Sequence, residues 1–334
     1  MVVDHLITPY KLGRPVLAGS GIPGAYDERA VDCPTVFKHN GLWYMLHVGF
    51  DGTGYQTGLA VSRDLLNWEK KGVILKRGSH MTWDRVGMAA TAVLMDKDLY
   101  GGNELKKWNG GYWLMYHSYP YAGYESGAAE VGLAWTDDEE LLNWHFYGEP
   151  VFSWRDGEKW EKGGLYKVDL VQRDGRFLMF YNAKNHPEGG WEEQIGMAES
   201  DNLVSWTRCS DRPVVPVDPH AWDSRFASDP FVMYDPKEEQ WVMFYYGLGS
   251  LSACDGVAVS RDMRTWKKFP APILTTGRAG ELDSKYAHKP CVVYHDGSLY
   301  HFYCAVRPRR DGDIKGVWNE FRCITVARSQ PWEK

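Results

Sequence analysis

The segment WDSRFASDPFV (222–232) decides the fold, because four other stretches of the chain align with it without gaps. Each of the five segments begins with a bulky apolar residue and an acid, and each ends in a short apolar run that is typical of a β-strand. The other four are YDERAVDCPTV (26–36), WDRVGMAATAV (83–93), WEKGGLYKVDL (160–170) and LDSKYAHKPCV (282–292). Self-similarity of this kind indicates a repeat architecture.

The residues after each segment also recur. Each segment is followed by a second strand, such as WVMFYYG (241–247), and then by a third, such as GVAVS (256–260). A turn such as RDMRTW (261–266) comes next, and its tryptophan begins a fourth strand. Four short antiparallel strands per unit, in five units, predict an all-β chain with the fold of a five-bladed β-propeller.

The ends of the chain are predicted to meet. The last unit lacks a fourth strand, and YKLGRPVLAGSGIPGAYDE (10–28) matches WTRCSDRPVVPVDPHAWDS (206–224) in pattern. We therefore expect the N-terminal strand to complete the last blade and close the ring, which removes open sheet edges. Residues 1–334 would then form a single domain. The alternative is a β-sandwich, but sandwiches do not repeat a four-strand module with a circular offset.

Composition excludes several classes of function. The net charge is −6 and the only basic block is the short patch at 307–310, which argues against nucleic acid or an anionic membrane as the partner. No apolar run has the length of a membrane span, and the first residues show no signal-peptide pattern. The six cysteines form no CxxC pair, which indicates buried thiols in a reducing compartment, so we expect a cytoplasmic protein without a metal site.

Strand direction predicts where a site lies. The starts of the first strands, the ends of the second strands and the loops that follow them should converge on one mouth of the channel, the default binding site. Facing this mouth are ionisable residues for which a repeat module has no packing need, and burying them unpaired is costly. They are Asp32, Lys167, Asp169, Asp229, His288 and Lys289.

Structural interpretations compete with these functional ones. The acid near the start of each first strand recurs in all five units and is predicted to accept structural hydrogen bonds from backbone amides. These acids are Asp27, Asp84, Glu161, Asp223 and Asp283. Asp32 and Asp229 could instead pair with Lys289 or Lys167, strand alternation could turn Asp169 away, and His288 could simply fill the channel.

Three long loops, 117–130, 182–194 and 304–320, are expected to wall the mouth. Their aromatic residues Tyr121, Tyr124, Trp191 and Trp318 could stack on sugars. Any of Glu125, Glu130, Glu193 and Glu320 could supply the acid, although loop glutamates are more often solvated. The predicted substrate-binding residues are His117, Lys167, Trp191, His288, Lys289 and Arg307.

Motifs along essentially the whole chain resemble the five-bladed β-propeller glycosidases, above all glycoside hydrolase family 43, with families 32, 68, 117 and 130 as relatives. They are VDCPTVF (31–37), GLAVSRDLLNW (58–68), SDPFVMYD (228–235) and HKPCVVYHDG (288–297). The resemblance implies a general base on blade 1, a pKa-tuning Asp on blade 3 and an acid on blade 4. The nearest positions here are Asp32, Asp169 and Asp229, which are therefore the predicted catalytic residues.

This chain departs from the family pattern in two places. Asp32 stands two residues before its proline, where the family usually has adjacent residues, and blade 4 offers Asp229 in place of Glu. The WMNDPNG and RDP signatures of fructosidases are absent, which argues against that substrate class. The resemblance keeps His288 as a candidate proton donor. It also allows a structural calcium, although no DxDxDG loop occurs and no other cofactor is predicted.

Glycoside hydrolysis needs a protonated acid and an ionised carboxylate. We predict an inverting, exo-acting hydrolase of short oligosaccharides, such as arabinofuranosides. A phosphorylase is the first alternative, with Lys167, Lys289, His288 and the arginines at 307, 309 and 310 holding phosphate, although the same cations could hold an acidic sugar. A non-catalytic carbohydrate-binding propeller is the second. The sequence leaves the oligomeric state open.

Overall fold

The computed structural model describes residues 3–77, 83–250 and 252–333, so the predicted domain limits at residues 1 and 334 lie outside the described residues. The chain is all-β, with two short 3₁₀ helices at Asp4–Leu6 and Lys159–Glu161. In chain order the strands are β1 (Tyr10–Lys11), β2 (Leu17–Ala18), β3 (Ala30–His39), β4 (Leu42–Phe50), β5 (Tyr55–Ser62), β6 (Glu69–Leu75), β7 (Ala89–Val93), β8 (Tyr112–Ser118), β9 (Glu130–Thr136), β10 (His145–Phe146), β11 (Gly164–Arg173), β12 (Arg176–Lys184), β13 (Glu193–Ser200), β14 (Thr207–Arg208), β15 (Phe226–Asp235), β16 (Gln240–Leu248), β17 (Ala253–Ser260), β18 (Lys267–Lys268), β19 (Tyr286–His295), β20 (Ser298–Pro308) and β21 (Glu320–Arg328).

Antiparallel pairing links consecutive strands into groups. Strands β3 to β6 and β7 to β10 form two separate four-stranded sheets. The groups that begin at β11, β15 and β19 are joined into one larger sheet by single parallel pairs, Glu193 with Phe226 and Ala253 with Tyr286. The N-terminal strands β1 and β2 pair antiparallel with β21, the last strand of the chain.

The first strand of each group lies beside the first strand of the next. Strand β3 contacts β7, β7 contacts β11, β11 contacts β15, β15 contacts β19, and β19 contacts β3 again. Side chains at the starts of these five strands can therefore reach one common space, although the strands are far apart in sequence.

The core lies between the groups. The methionines of the second strands, Met45, Met115, Met179 and Met243, are fully buried there, where their flexible side chains fill irregular gaps between sheets.

The recurring acid has a structural role: the predicted backbone amides donate to Asp283 (from Gly277, at 3.1 Å) and to Glu161 (from Glu158), but most of its partners are side chains. Asp223 accepts a hydrogen bond from the Tyr245 hydroxyl at 3.0 Å and pairs with Lys268 of β18 at 2.7 Å. Asp283 has the same environment, since it accepts from Tyr303 and pairs with Lys11 of β1 at 2.6 Å. Lys11 of β1 therefore has the same role in the last group of strands that Lys268 of β18 has in the group before it.

Candidate active site

A bulge in each first strand sets the direction of the side chains that face the common space. The pairing register shifts at the same relative position in β3, β7, β11, β15 and β19. In three of these strands a non-glycine residue at the bulge has a positive φ: 48° at Cys33, 54° at Asp229 and 67° at Lys289. Bulges re-aim side chains, and strained backbone of this kind concentrates at functional sites.

Two adjoining cavities open at these bulges. The inner cavity has a volume of about 20 Å³, which is enough for one water molecule. The outer cavity has about 240 Å³, slightly below the usual range for small-ligand pockets. Four residues line both cavities and so mark the junction between them, namely Glu125, Glu193, Tyr246 and Lys289.

Asp229 lines the inner cavity, and its surroundings favour the protonated form of its carboxyl. Burial raises its pKa from the usual 3.8 to about 6, even though Lys289 and Lys167 pull the pKa down. One carboxylate oxygen lies 3.0 Å from the Ser228 hydroxyl, and the other has no partner among the described residues. A buried carboxylic acid with a free oxygen can donate a proton near neutral pH.

Glu125 lies at the junction and has the opposite tendency. Burial favours its neutral form, but Lys289 and Lys184 outweigh this effect and lower its pKa to about 2. The two ammonium groups lie 3.4 Å from its two oxygens, and the Tyr55 hydroxyl donates to it at 3.3 Å. This side chain is therefore an ionised carboxylate at all but strongly acidic pH.

Glu193 is the second carboxylate of the junction and is almost fully hydrogen-bonded. It accepts from Trp191 Nε1 at 2.8 Å, from Ser228 at 2.7 Å, from the Tyr246 hydroxyl at 3.0 Å and from Asn182 at 3.1 Å. These donors come from different groups of strands, so Glu193 fixes the junction in place.

Lys184, at the end of β12, connects the two glutamates. Its Nζ lies 3.4 Å from Glu125 and 3.8 Å from Glu193, so the nearest oxygens of the two carboxylates are at most about 7 Å apart. The ammonium also lies over the rings of Tyr166 and Trp191, at 4.3 and 4.6 Å from their centroids. Lys184 was not singled out from the sequence, because nothing in its strand-end position signals these contacts.

Several buried polar atoms around the inner cavity have no partner in the described part of the chain. They are Lys167 Nζ, His117 Nδ1, Asn182 Oδ1 and Asp229 Oδ2, and all four residues line this cavity. Unsatisfied buried polar groups are costly, so such a cluster points to a polar ligand or ordered water that satisfies them.

Asp32 is close to the site, but its carboxylate does not line either cavity. Lys289 at 3.2 Å, the Tyr124 hydroxyl at 2.8 Å and Arg322 at 3.5 Å contact one oxygen, and the Cys304 thiol and the Cys33 amide contact the other. Burial opposes its ionisation, but Lys289 and Arg322 outweigh it and hold the pKa of Asp32 far below its usual range. Asp32 therefore lies behind Lys289 and Arg322, which line the outer cavity, and its role as a catalytic residue stays a prediction.

Asp169 is turned away from the cavities. It lies beyond the bulge of β11, where strand alternation aims it at Lys97, 2.7 Å away, and at the Val232 amide, also 2.7 Å away. The structure does not bring this predicted catalytic residue to the site.

Arg307, a predicted substrate-binding residue, also lies outside both cavities. Its guanidinium forms a bidentate pair with Asp313, with contacts of 2.6 and 2.9 Å.

The remaining predicted binding residues lie around the two cavities. Lys167 and His117 line the inner one, His288 and Trp191 line the outer one, and Lys289 lines both. Burial lowers the pKa of His288 to about 3, and Lys289 adds to this effect. His288 is therefore neutral near pH 7, which makes it a poor proton donor.

Of the loop glutamates, only Glu125 and Glu193 reach the cavities. Glu130 pairs with Arg155 and with the Ser153 hydroxyl, while Glu320 pairs with Lys285 and Arg322. All three long loops nevertheless contribute to the outer cavity, through Tyr124, Trp191 and Trp318.

The residues present do not fit a calcium ion. The described ranges contain no cluster of three or more His, Cys, Asp or Glu side chains that could hold a metal. Beside Asp229, the Lys167 ammonium already supplies the positive charge that calcium would bring.

In the described ranges, no helix is long and apolar enough to cross a membrane.

Part of this chain is similar to a curated protein. The 1,2-beta-oligomannan phosphorylase of Thermoanaerobacter sp. (strain X514) is 25% identical over 181 residues, which are 53% of this chain and 49% of that protein. The chain thus aligns with about half the length of this curated relative.

Solved structures are similar over nearly the whole chain. The solved BT0996 RGII complex is 30% identical, with a TM-score of 0.81 over 99% of this chain and 94% of its own. A thermostable family-43 glycoside hydrolase, 18% identical, has a TM-score of 0.64 over 93% of this chain and 91% of its own, which shows the shared fold.

The family comparison agrees with these structures and confirms the resemblance to propeller glycosidases. The match covers residues 101–282, more than half of the chain. The chain belongs to the family described as "Glycosyl hydrolases family 32 N-terminal domain".

Proposed function

We propose that this chain is an exo-acting O-glycosyl hydrolase that removes a terminal sugar, such as an arabinofuranosyl residue, from a short oligosaccharide. The observation that carries the proposal is a pair of carboxylates in one cavity wall whose pKa values are shifted in opposite directions, upward for Asp229 and downward for Glu125. Glycoside hydrolysis needs one protonated and one ionised carboxylate, and diverging pKa values identify such a pair.

The two carboxylates take complementary roles. Asp229 gives its proton to the oxygen of the leaving sugar as the glycosidic bond breaks. Glu125 accepts a proton from a water molecule, whose oxygen bonds to the anomeric carbon. Inversion requires space for that water, and the inner cavity of about 20 Å³ supports it. Asp32 enters as a positioning residue that holds Lys289 and Arg322, rather than as the base.

Recognition of a sugar has separate support. The unpartnered atoms of Lys167, His117 and Asn182 offer hydrogen-bond partners for one sugar hydroxyl, or a water molecule, that enters the inner cavity. Trp191, stacked on Phe226 with an interplanar angle of 9°, presents an aromatic wall in the outer cavity. The small combined space favours one terminal sugar over the interior of a polysaccharide.

The architecture that we propose for this function is a closed ring of five blades. It is supported by the contact of β19 with β3 and by the pairing of β1 and β2 with β21. A closed ring would keep the five bulges, and therefore Asp229 and Lys289, at fixed positions around one axis.

Phosphorolysis is the second candidate, which the name of the curated relative favours. The charge balance favours hydrolysis instead, since Lys184, Lys289 and Arg322 each contact a carboxylate of this chain. A phosphate dianion would need surplus cations, and only Lys167 has an unpartnered nitrogen among the described lysines of the inner cavity.

The test uses aryl glycosides that differ in leaving-group pKa, with and without phosphate. Asp229→Asn should lose at least about 100-fold in kcat on poor leaving groups and far less on dinitrophenyl glycosides, because a good leaving group needs no proton. Glu125→Gln should lose activity on both, and added azide, which replaces the attacking water, should restore turnover of the dinitrophenyl substrate.

Glu130→Gln serves as the matched control, because Glu130, at the start of β9, pairs with Arg155 away from the cavities. It should keep activity near that of the wild type. Phosphate-dependent release of a sugar phosphate would overturn hydrolysis in favour of phosphorolysis. Sugar binding without any product would overturn catalysis, and azide rescue of Glu193→Gln in place of Glu125→Gln would overturn the assignment of the base.

A further inference from the structure

A second cleft, which we call the arginine cleft, adjoins the outer cavity. Its walls include Ser252, Gly280, Ser284, Lys285, Arg309 and Arg310, and its volume is about 480 Å³. Ser252 and Lys285 precede Ala253 and Tyr286, which pair with each other between β17 and β19 and line the outer cavity. A ligand that extends out of the catalytic pocket on this side therefore enters the arginine cleft.

The two arginines of this cleft are held in place by backbone carbonyls. Arg309 donates to the carbonyl oxygens of Ile314 at 3.0 Å and Asp313 at 3.1 Å, and Arg310 donates to that of Gly280. Neither guanidinium has a carboxylate within ion-pair distance among the described residues, whereas the neighbouring Arg307 is paired with Asp313. Arg309 and Arg310 are thus oriented cations whose guanidinium groups have no direct carboxylate partner among the described residues.

Oriented guanidinium groups without a direct ion-pair partner are suited to carboxylates and to phosphate or sulfate esters, because their planar fork matches these anions. The position is unusual for this chain, whose net charge is −6. Lys285 adds a third cation at the side nearest the pocket, although Glu320 already pairs with it.

We propose that the arginine cleft binds an anionic group on the part of the substrate that leaves, so that the substrate is an acidic oligosaccharide. This inference rests on the proposed hydrolase function and deepens it: the sugar that is cleaved off occupies the cavities, and the charged remainder lies against Arg309 and Arg310. The anion is a uronate carboxylate or a sulfate ester, which present the same chemistry to a guanidinium.

Calorimetric titration of the full chain tests this without relying on turnover. The probes are tetragalacturonate with its methyl-esterified form, and sulfated maltotetraose with maltotetraose, so that each anion has a neutral counterpart of the same length. We expect at least tenfold tighter binding of an anionic probe than of its neutral counterpart. The probe that binds more tightly identifies the source of the anion.

The variant Arg309→Gln/Arg310→Gln should weaken binding of the anionic probe at least tenfold and leave turnover of a neutral aryl glycoside unchanged. The matched control Arg63→Gln/Arg264→Gln removes the same charge from turns that follow β5 and β17 and should bind like the wild type. Equal binding of charged and neutral probes, no binding of either charged probe, or no effect of the double variant would overturn the proposal. Charge-selective binding without turnover of any aryl glycoside would instead refute the hydrolase function.

Discussion

Because its pKa is raised, Asp229 is predicted to lower the free energy of unfolding when its carboxyl is ionised. A carboxyl whose pKa is higher in the folded chain than in the unfolded chain stabilises the fold at low pH, and this contribution is lost as the pH rises through the folded pKa. For Asp229 the window runs from its usual 3.8 to about 6. A shift of this size corresponds to about 3 kcal/mol of destabilisation at pH 8.

The isosteric change Asp229→Asn removes the charge and leaves the shape. It should raise the free energy of unfolding by up to about 3 kcal/mol at pH 8, because the buried charge is gone, and should change it little at pH 4, where the wild-type carboxyl is mostly protonated. Urea unfolding at the two pH values, followed by tryptophan fluorescence, measures the difference.

Ser228→Ala is the control for lost hydrogen bonding, since the Ser228 hydroxyl lies 3.0 Å from a carboxylate oxygen of Asp229. It should not show the same gain at pH 8. An Asp229→Asn variant that is no more stable than the wild type at pH 8, or equally stabilised at both pH values, would refute the argument that Asp229 has a raised pKa because of burial.

Three further predictions follow from the same contacts. Lys184→Met should raise the pH of the acidic limb of the kcat/KM profile by about one unit or more, because Glu125 loses a cation 3.4 Å away. Lys184→Arg keeps that cation and should leave the limb in place. An unmoved limb in Lys184→Met would show that Lys184 has only a structural role. Asp169→Asn breaks the buried pair with Lys97 and should cost about 3 to 5 kcal/mol of unfolding free energy, with KM unchanged in the folded fraction; a raised KM would return Asp169 to the site. Trp191→Ala should raise KM at least tenfold with a smaller effect on kcat, and an unchanged KM would remove the aromatic wall from the proposal.

The sequence predicted the strands well because each unit repeats the same local pattern. The second strand expected at 241–247 is observed at Gln240–Leu248, and the third expected at 256–260 is observed at Ala253–Ser260. Lys167, Asp229 and Lys289 occupy the same position in their repeat units, and the sequence also identified them as site residues. An ionisable residue is conspicuous in a repeat when other units have small or apolar residues at the same position.

The details of the site could not be predicted in the same way, because they depend on contacts between distant loops. Tyr124 and Arg322, which are far apart in the sequence, both contact Asp32. Asp32 has the predicted sequence position, but these two side chains separate its carboxylate from the outer cavity. Lys184 acquires its role only because Glu125 and Glu193 come together from two loops. Asp169 was misplaced because the bulge at Lys167 changes which face its neighbours present.

The most direct measurement of the central claim is the pH dependence of kcat/KM for the wild-type enzyme on a substrate with a poor leaving group. If Glu125 must be ionised and Asp229 protonated, activity rises from about pH 2, falls with a midpoint near pH 6, and is nearly lost at pH 8. Activity that stays level from pH 6 to pH 9 would contradict the assignment of Asp229 as the proton donor.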